Sequence, residues 1–96
     1  MKKRRRASIG ILLDGLTGGK VLTLIRYREH DHAMHSFEFQ LERSEDPQFR
    51  CVERFENGIA QEEYMDIQAI AILCNWLLYL NFQPNLYTPY SDNEEN

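Results

Sequence analysis

Glu29, His30, Asp31, His32 and His35 form the densest concentration of metal-ligand chemistry in the chain. In an extended strand His30 and His32 would project to one side, with Glu29 or Asp31 able to complete a nitrogen and oxygen set of the kind zinc accepts. Polar residues also collect at hairpin tips simply because tips are solvated. No metal and no cofactor are therefore expected, and His35 is expected as a strand-end residue lining the edge of the core. Cys51 and Cys74 stand far apart with no Cys-x-x-Cys pair, which gives neither a zinc knuckle nor a disulfide framework. They read as reduced core residues of an intracellular, cytoplasmic protein.

Three further groupings have residue types suited to catalysis or phosphate binding. Gly15-Leu16-Thr17-Gly18-Gly19-Lys20 has the ingredients of a phosphate-binding loop. That loop needs four residues between its outer glycines, a Ser or Thr after the lysine, and a helix next. Here three residues intervene, Val21 follows, and a hairpin turn is the simpler expectation. Glu53, Glu56, Glu62, Glu63 and Asp66 gather near the end of the apparent sheet, where the start of a helix favours negative charge. With the thiols expected in the core, where they are inert, no nucleophile sits beside a base. The chain is expected not to be an enzyme.

The elements that would position these residues follow from periodicity. Alternation over Ala7 to Leu13, Lys20 to Arg28, Met34 to Glu42 and Arg50 to Glu56 predicts four half-buried strands. Their short connectors, rich in turn formers, make an antiparallel meander the cheapest topology. Asn57-Gly58 reads as the turn that closes the sheet. A helix is predicted from about Gln61 to the stop at Pro84, with Glu62, Glu63 and Asp66 in its first turns. The fold class is thus α+β: a four-stranded antiparallel meander followed by one C-terminal helix packed on the sheet. In β register, Arg26 is expected opposite Glu38, which places Val21, Thr23, Ile25 and Tyr27 on the core face with Phe37, Phe39 and Leu41.

The chain has 96 residues, 43% of them hydrophobic, enough for one domain only. Five of its 11 basic residues lie in the first six positions, which leaves six basic against 15 acidic residues in the remainder. The expected organisation is a basic arm over residues 1–6, a single α+β domain over 7–82, and a disordered acidic tail over 83–96, from which Leu86, Tyr87 and Tyr90 could dock into a groove. The start lacks a cleavage site, so no export is expected. The apolar stretch Ile67 to Phe82 is interrupted and shorter than the roughly 20 residues of a membrane span, and no membrane association is expected.

Two resemblances bear on function. Arg4-Arg5-Arg6-Ala7-Ser8-Ile9 resembles the substrate pattern of cyclic-nucleotide-dependent protein kinases, with Ser8 as acceptor. In element order, four strands and a dimerising helix, the chain resembles the single-stranded-DNA-binding domain of the positive cofactor 4 family, which implies a nucleic-acid-binding sheet. Lys2, Lys3, Arg4, Arg5 and Arg6 would then supply phosphate contacts. Charge patterning argues otherwise: Glu38, Gln40 and Glu42 are expected between Arg26 and Arg28 on one side and Arg50 and Arg54 on the other. Arginines so flanked form cross-strand pairs rather than a phosphate track.

The predicted helix is apolar nearly all round, and one sheet can cover only one of its faces. Trp76, Tyr79 and Leu80 are therefore expected at an interface. The functional expectation is a small protein-binding module, an adaptor, inhibitor or regulator compatible with a phage or mobile-element origin. It would be homodimeric through the helix or bound there to a protein partner. The alternative is a single-stranded nucleic-acid-binding protein that uses the sheet and the basic arm.

Overall fold

Ser8 opens the first helix, its hydroxyl accepting a hydrogen bond from the Gly10 amide at 3.2 Å. This helix, α1 (Ile9–Thr17), replaces the first predicted strand. Ile9 and Leu13 suit a period of two, but Ile9, Leu12, Leu13 and Leu16 make a stripe at helical spacing, and Leu12 and Leu16 are buried. The helical stripe wins because it brings four apolar side chains to the core instead of three. The computed structural model describes residues 8–43, 48–56 and 58–89. The basic arm, the Ser44 to Pro47 connector, Asn57 and the last seven residues lie outside them, as do Ala7, Tyr90 and the arginines of the kinase-like pattern.

After α1 the chain runs through β1 (Val21–Arg28), β2 (Ala33–Arg43), β3 (Gln48–Phe55), β4 (Gly58–Met65), α2 (Ile67–Tyr79) and β5 (Gln83–Tyr87). The result is an α+β fold whose five-stranded sheet has the order β4-β3-β2-β1-β5, every neighbouring pair antiparallel. Strands β1 to β4 form a meander, and β5 returns to pair with β1. Two predicted boundaries move. Gln61 to Met65, expected to start the helix, completes β4, because cross-strand pairing with β3 outweighs the helix propensity of Gln-Glu-Glu. Gln83 to Tyr87, expected in the tail, is a strand. With a leading helix and a trailing strand, the element order departs from that of the positive cofactor 4 fold.

Helix α2 begins only where Asp66 accepts from the Ala69 amide at 2.8 Å. It ends at Tyr79, ahead of Pro84, and Asn81 just past the cap takes φ 72°. Phe82 donates to the Leu77 carbonyl and Asn81 to that of Leu78, the two bonds of a Schellman closure, and the buried Phe82 packs at the same corner.

The register of β1 also differs from expectation. Leu22 lies opposite Phe39, Leu24 opposite Phe37 and Arg26 opposite His35. Leu22, Leu24 and Phe39 are each 0% exposed, whereas Ile25 is 36% exposed and Tyr27 more so. Leu22 and Leu24 thus take the core face, and the opposite row turns to the other side of the sheet, with Val21 covered there. The core joins Leu22, Leu24, Phe39, Phe49 and Cys51 of the sheet to Leu12 and Leu16 of α1 and to Ile70, Cys74 and Leu77 of α2. Among the described residues, no helix is long and apolar enough to cross a membrane.

Phe39 sits on the central strand with no exposed surface. Phe39→Ala is expected to destabilise the fold by about 3–5 kcal/mol, read as a shift of the urea midpoint. A midpoint close to that of the unsubstituted chain would remove Phe39 from the core.

Candidate functional site

Helix α2 carries two apolar stripes on opposite sides. Ile70, Cys74 and Leu77, spaced i, i+4, i+7, face the sheet and are buried. Ile72, Trp76 and Tyr79 repeat the same spacing about half a turn away and are 64%, 58% and 73% exposed. At 100° per residue these stripes must diverge to opposite faces. Helix α1 packs alongside α2, so the segment predicted as a strand shares in covering this helix. What remains open is narrower: Ile72, Trp76 and Tyr79, with Leu80 at 42% beyond the helix end. Trp76 and Tyr79 meet edge to face, centroids 5.9 Å apart. With Ile72 and Asn75 they line a shallow groove of about 460 Å³. Sequence reasoning named Trp76, Tyr79 and Leu80; Ile72 was missed, though it stands four positions before Trp76.

The polar groupings resolve into structural contacts. His35 Nε2 lies 2.7 Å from Glu53 Oε2, and the imidazole is boxed by the rings of Phe37, Phe55 and Phe82. Beside it, Arg26 lies over the Phe82 ring at 4.7 Å and donates to the Leu80 carbonyl at 3.1 Å. Arg28 lies over Phe55 and pairs with Asp31 at 2.9 Å. His32, in a left-handed turn at φ 53°, places Nδ1 2.9 Å from the Tyr27 hydroxyl. His30 is near Asp31 at 3.7 Å. The three histidines thus turn to three different partners. Among the described residues, no three His, Cys, Asp or Glu side chains converge as a metal set.

The glycine-rich segment closes α1 instead of turning a hairpin. The amides of Gly18, Gly19 and Lys20 all donate to carbonyls of the last helical turns. Those donors are spent, and a helix precedes where a phosphate loop needs one to follow. On the open face of the sheet Arg54 pairs with Glu38 at 2.7 Å and Arg50 with Glu62. The expected pairing with the acidic row of β2 therefore holds for Arg54; Arg50 turns instead to Glu62 of β4, a residue expected in a helix, and Arg26 and Arg28 turn to the helix side. The same open face carries Tyr27, Tyr64 and Tyr87, all exposed. No protein-family profile, curated protein or solved structure matches the chain.

Cys51 and Cys74 are buried and unbridged. Burial pushes both thiols up to about 12, with Glu63 and Glu53 adding to the shift at Cys51 and Cys51 itself adding to it at Cys74. Since unfolded thiols ionise near 9.0, the unfolded chain binds fewer protons above that pH than the folded one. The thiol contribution to stability is intact below 9.0 and is lost as pH rises toward about 12. Urea midpoints measured across that range should fall, and the fall should be shallower in Cys51→Ala/Cys74→Ala. An equal slope in the two proteins would show that the thiols titrate alike folded and unfolded.

Proposed function

We propose that the chain is a non-enzymatic protein-binding module that self-associates through the outer face of α2. The supporting observation is the Ile72, Trp76 and Tyr79 stripe: three large apolar side chains left in water on one regular helix, opposite the stripe that builds the core. Contiguous apolar surface of this kind marks interaction sites, and Trp and Tyr are the favoured anchors of interface centres. A two-fold axis across the groove would pack Trp76 of each copy against the other helix, the isologous arrangement most common among homo-oligomers. Assembly would leave the sheet's open face free, as an adaptor or regulator requires.

Light scattering at micromolar concentration should give twice the 11.4 kDa mass of one chain. Tyr79→Glu/Leu80→Glu should weaken association by at least about 100-fold and give soluble monomer with an unchanged circular dichroism spectrum. A monomer mass for the unsubstituted chain would defeat the homodimer and leave the stripe to a hetero-partner.

A second reading, single-stranded nucleic-acid binding, draws support from the exposed Tyr27, Tyr64 and Tyr87 on the open face, since bases stack on such rings. The Arg50 and Arg54 ion pairs weigh against it. It requires affinity for oligothymidylate that falls steeply with salt, and salt-independent or absent binding would retire it.

A further inference from the structure

The two edges of the sheet are built differently. β5 is five residues long and contains Pro84, which cannot donate a ladder hydrogen bond, so that edge is short and protected. β4 is eight residues, Gly58-Ile59-Ala60-Gln61-Glu62-Glu63-Tyr64-Met65, with no proline and no lysine or arginine. It is exposed from end to end apart from a half-buried Met65. Gln61 to Met65 pair in unbroken register with Glu53 to Phe49, and the single irregularity falls at Ala60. Half of the backbone groups along that regular stretch point away from β3, as on any edge strand, and have no ladder partner among the described residues.

We propose that this edge receives an extended, lysine- and arginine-bearing segment of a second protein, which adds to the sheet beyond β4. Charge selects the occupant. Natural edges are commonly guarded by lysine, yet no Lys, Arg or His occurs after Arg54. The charges on β4 are Glu62 and Glu63, and alternation sends them to opposite faces: Glu62 beside Arg50 on the open face, Glu63 opposite Cys51 on the helix side. Another copy of β4, paired antiparallel about a two-fold axis through this stretch, would bring one of Glu62 and Glu63 directly opposite its own counterpart and the other diagonal to its counterpart on the other face, a destabilising arrangement. A segment with two adjacent basic residues places one on each face, next to one glutamate each. Opposite Tyr64 and Met65 the same segment would carry apolar residues. Backbone bonds supply the affinity of such strand addition and the flanking side chains its selectivity.

The edge is separate from the α2 stripe, so the two readings can fail independently. The test uses the full chain and a fluorescein-labelled octapeptide of valine and threonine with a central lysine–arginine pair, followed by fluorescence anisotropy and by amide exchange. Binding should slow exchange at alternate β4 amides, and Glu62→Gln/Glu63→Gln should weaken it at least about tenfold. The same peptide methylated on the nitrogens that face β4 should not bind. Three results would overturn the proposal: no binding by the unmodified peptide, equal affinity for the methylated one, or protection confined to α2. Binding that appears only after Lys2, Lys3, Arg4, Arg5 and Arg6 are replaced by serine would reassign the edge to the chain's own arm and overturn the second-protein assignment.

Discussion

The facing of β1 is the constraint on which the other contacts depend. A strand has two faces and a period of two, so burying Leu22 and Leu24 against the helices sends Arg26 and Arg28 to the same side. Guanidinium groups cannot lie beneath an apolar helix without partners. The helical layer therefore has to stop where they begin, and the Schellman closure at Leu80 to Phe82 makes it stop there. Arg26 then caps the Leu80 carbonyl and lies over Phe82, while Arg28 reaches Asp31 and Phe55. The basic residues of β1 mark the boundary of the core and set the length of α2.

That same choice explains how apolar surface is divided. With Leu22 and Leu24 inward, Phe39 and Cys51 inward across β2 and β3, and α1 lying beside α2, the core is satisfied by one stripe of α2. Among the described residues the second stripe has nothing left to pack on. Close approach is also used up elsewhere: a side chain at Gly15 of α1 would meet Leu86 of β5 at 2.7 Å, so α1 sits directly against the edge strand. The helices are thus drawn toward the β5, β1 and β2 side, and β4 projects beyond their cover.

Much of this was legible in the sequence, and its failures are informative. Three of the four predicted strands exist, as β1, β2 and β3. The burial of Phe39 followed from its central place in β2. Ile9 to Leu13 was ambiguous because five residues cannot separate a period of two from 3.6; Leu16, one turn later, held the answer. Gln61 to Met65 was misassigned for another reason: its propensity is helical, and only its pairing with β3, a contact distant in sequence at Arg50, makes it a strand. The register of β1 failed because Leu22 and Leu24 compete with Val21 and Ile25 on equal hydrophobicity, and the deciding partners lie on α1 and α2. The Trp76 and Tyr79 surface was readable because a helix apolar all round cannot be covered by one sheet, whatever its neighbours are.

The uneven cover has an energetic consequence for the β3–β4 hairpin. Residues that pack beneath two helices resist opening because many apolar contacts must be lost together, whereas β4, among the described residues, is held by one ladder, the Arg50–Glu62 pair and, at its last residue, the half-buried Met65. An exposed ion pair of this kind contributes little, so the backbone ladder carries the strand. Local opening of β4 should then lie well below global unfolding in free energy. A strand in that condition gains more from an added neighbour than a well-covered one does, since pairing on its free side would hold it from both edges at once. The feature that leaves β4 weakly held is thus the feature that makes its edge receptive.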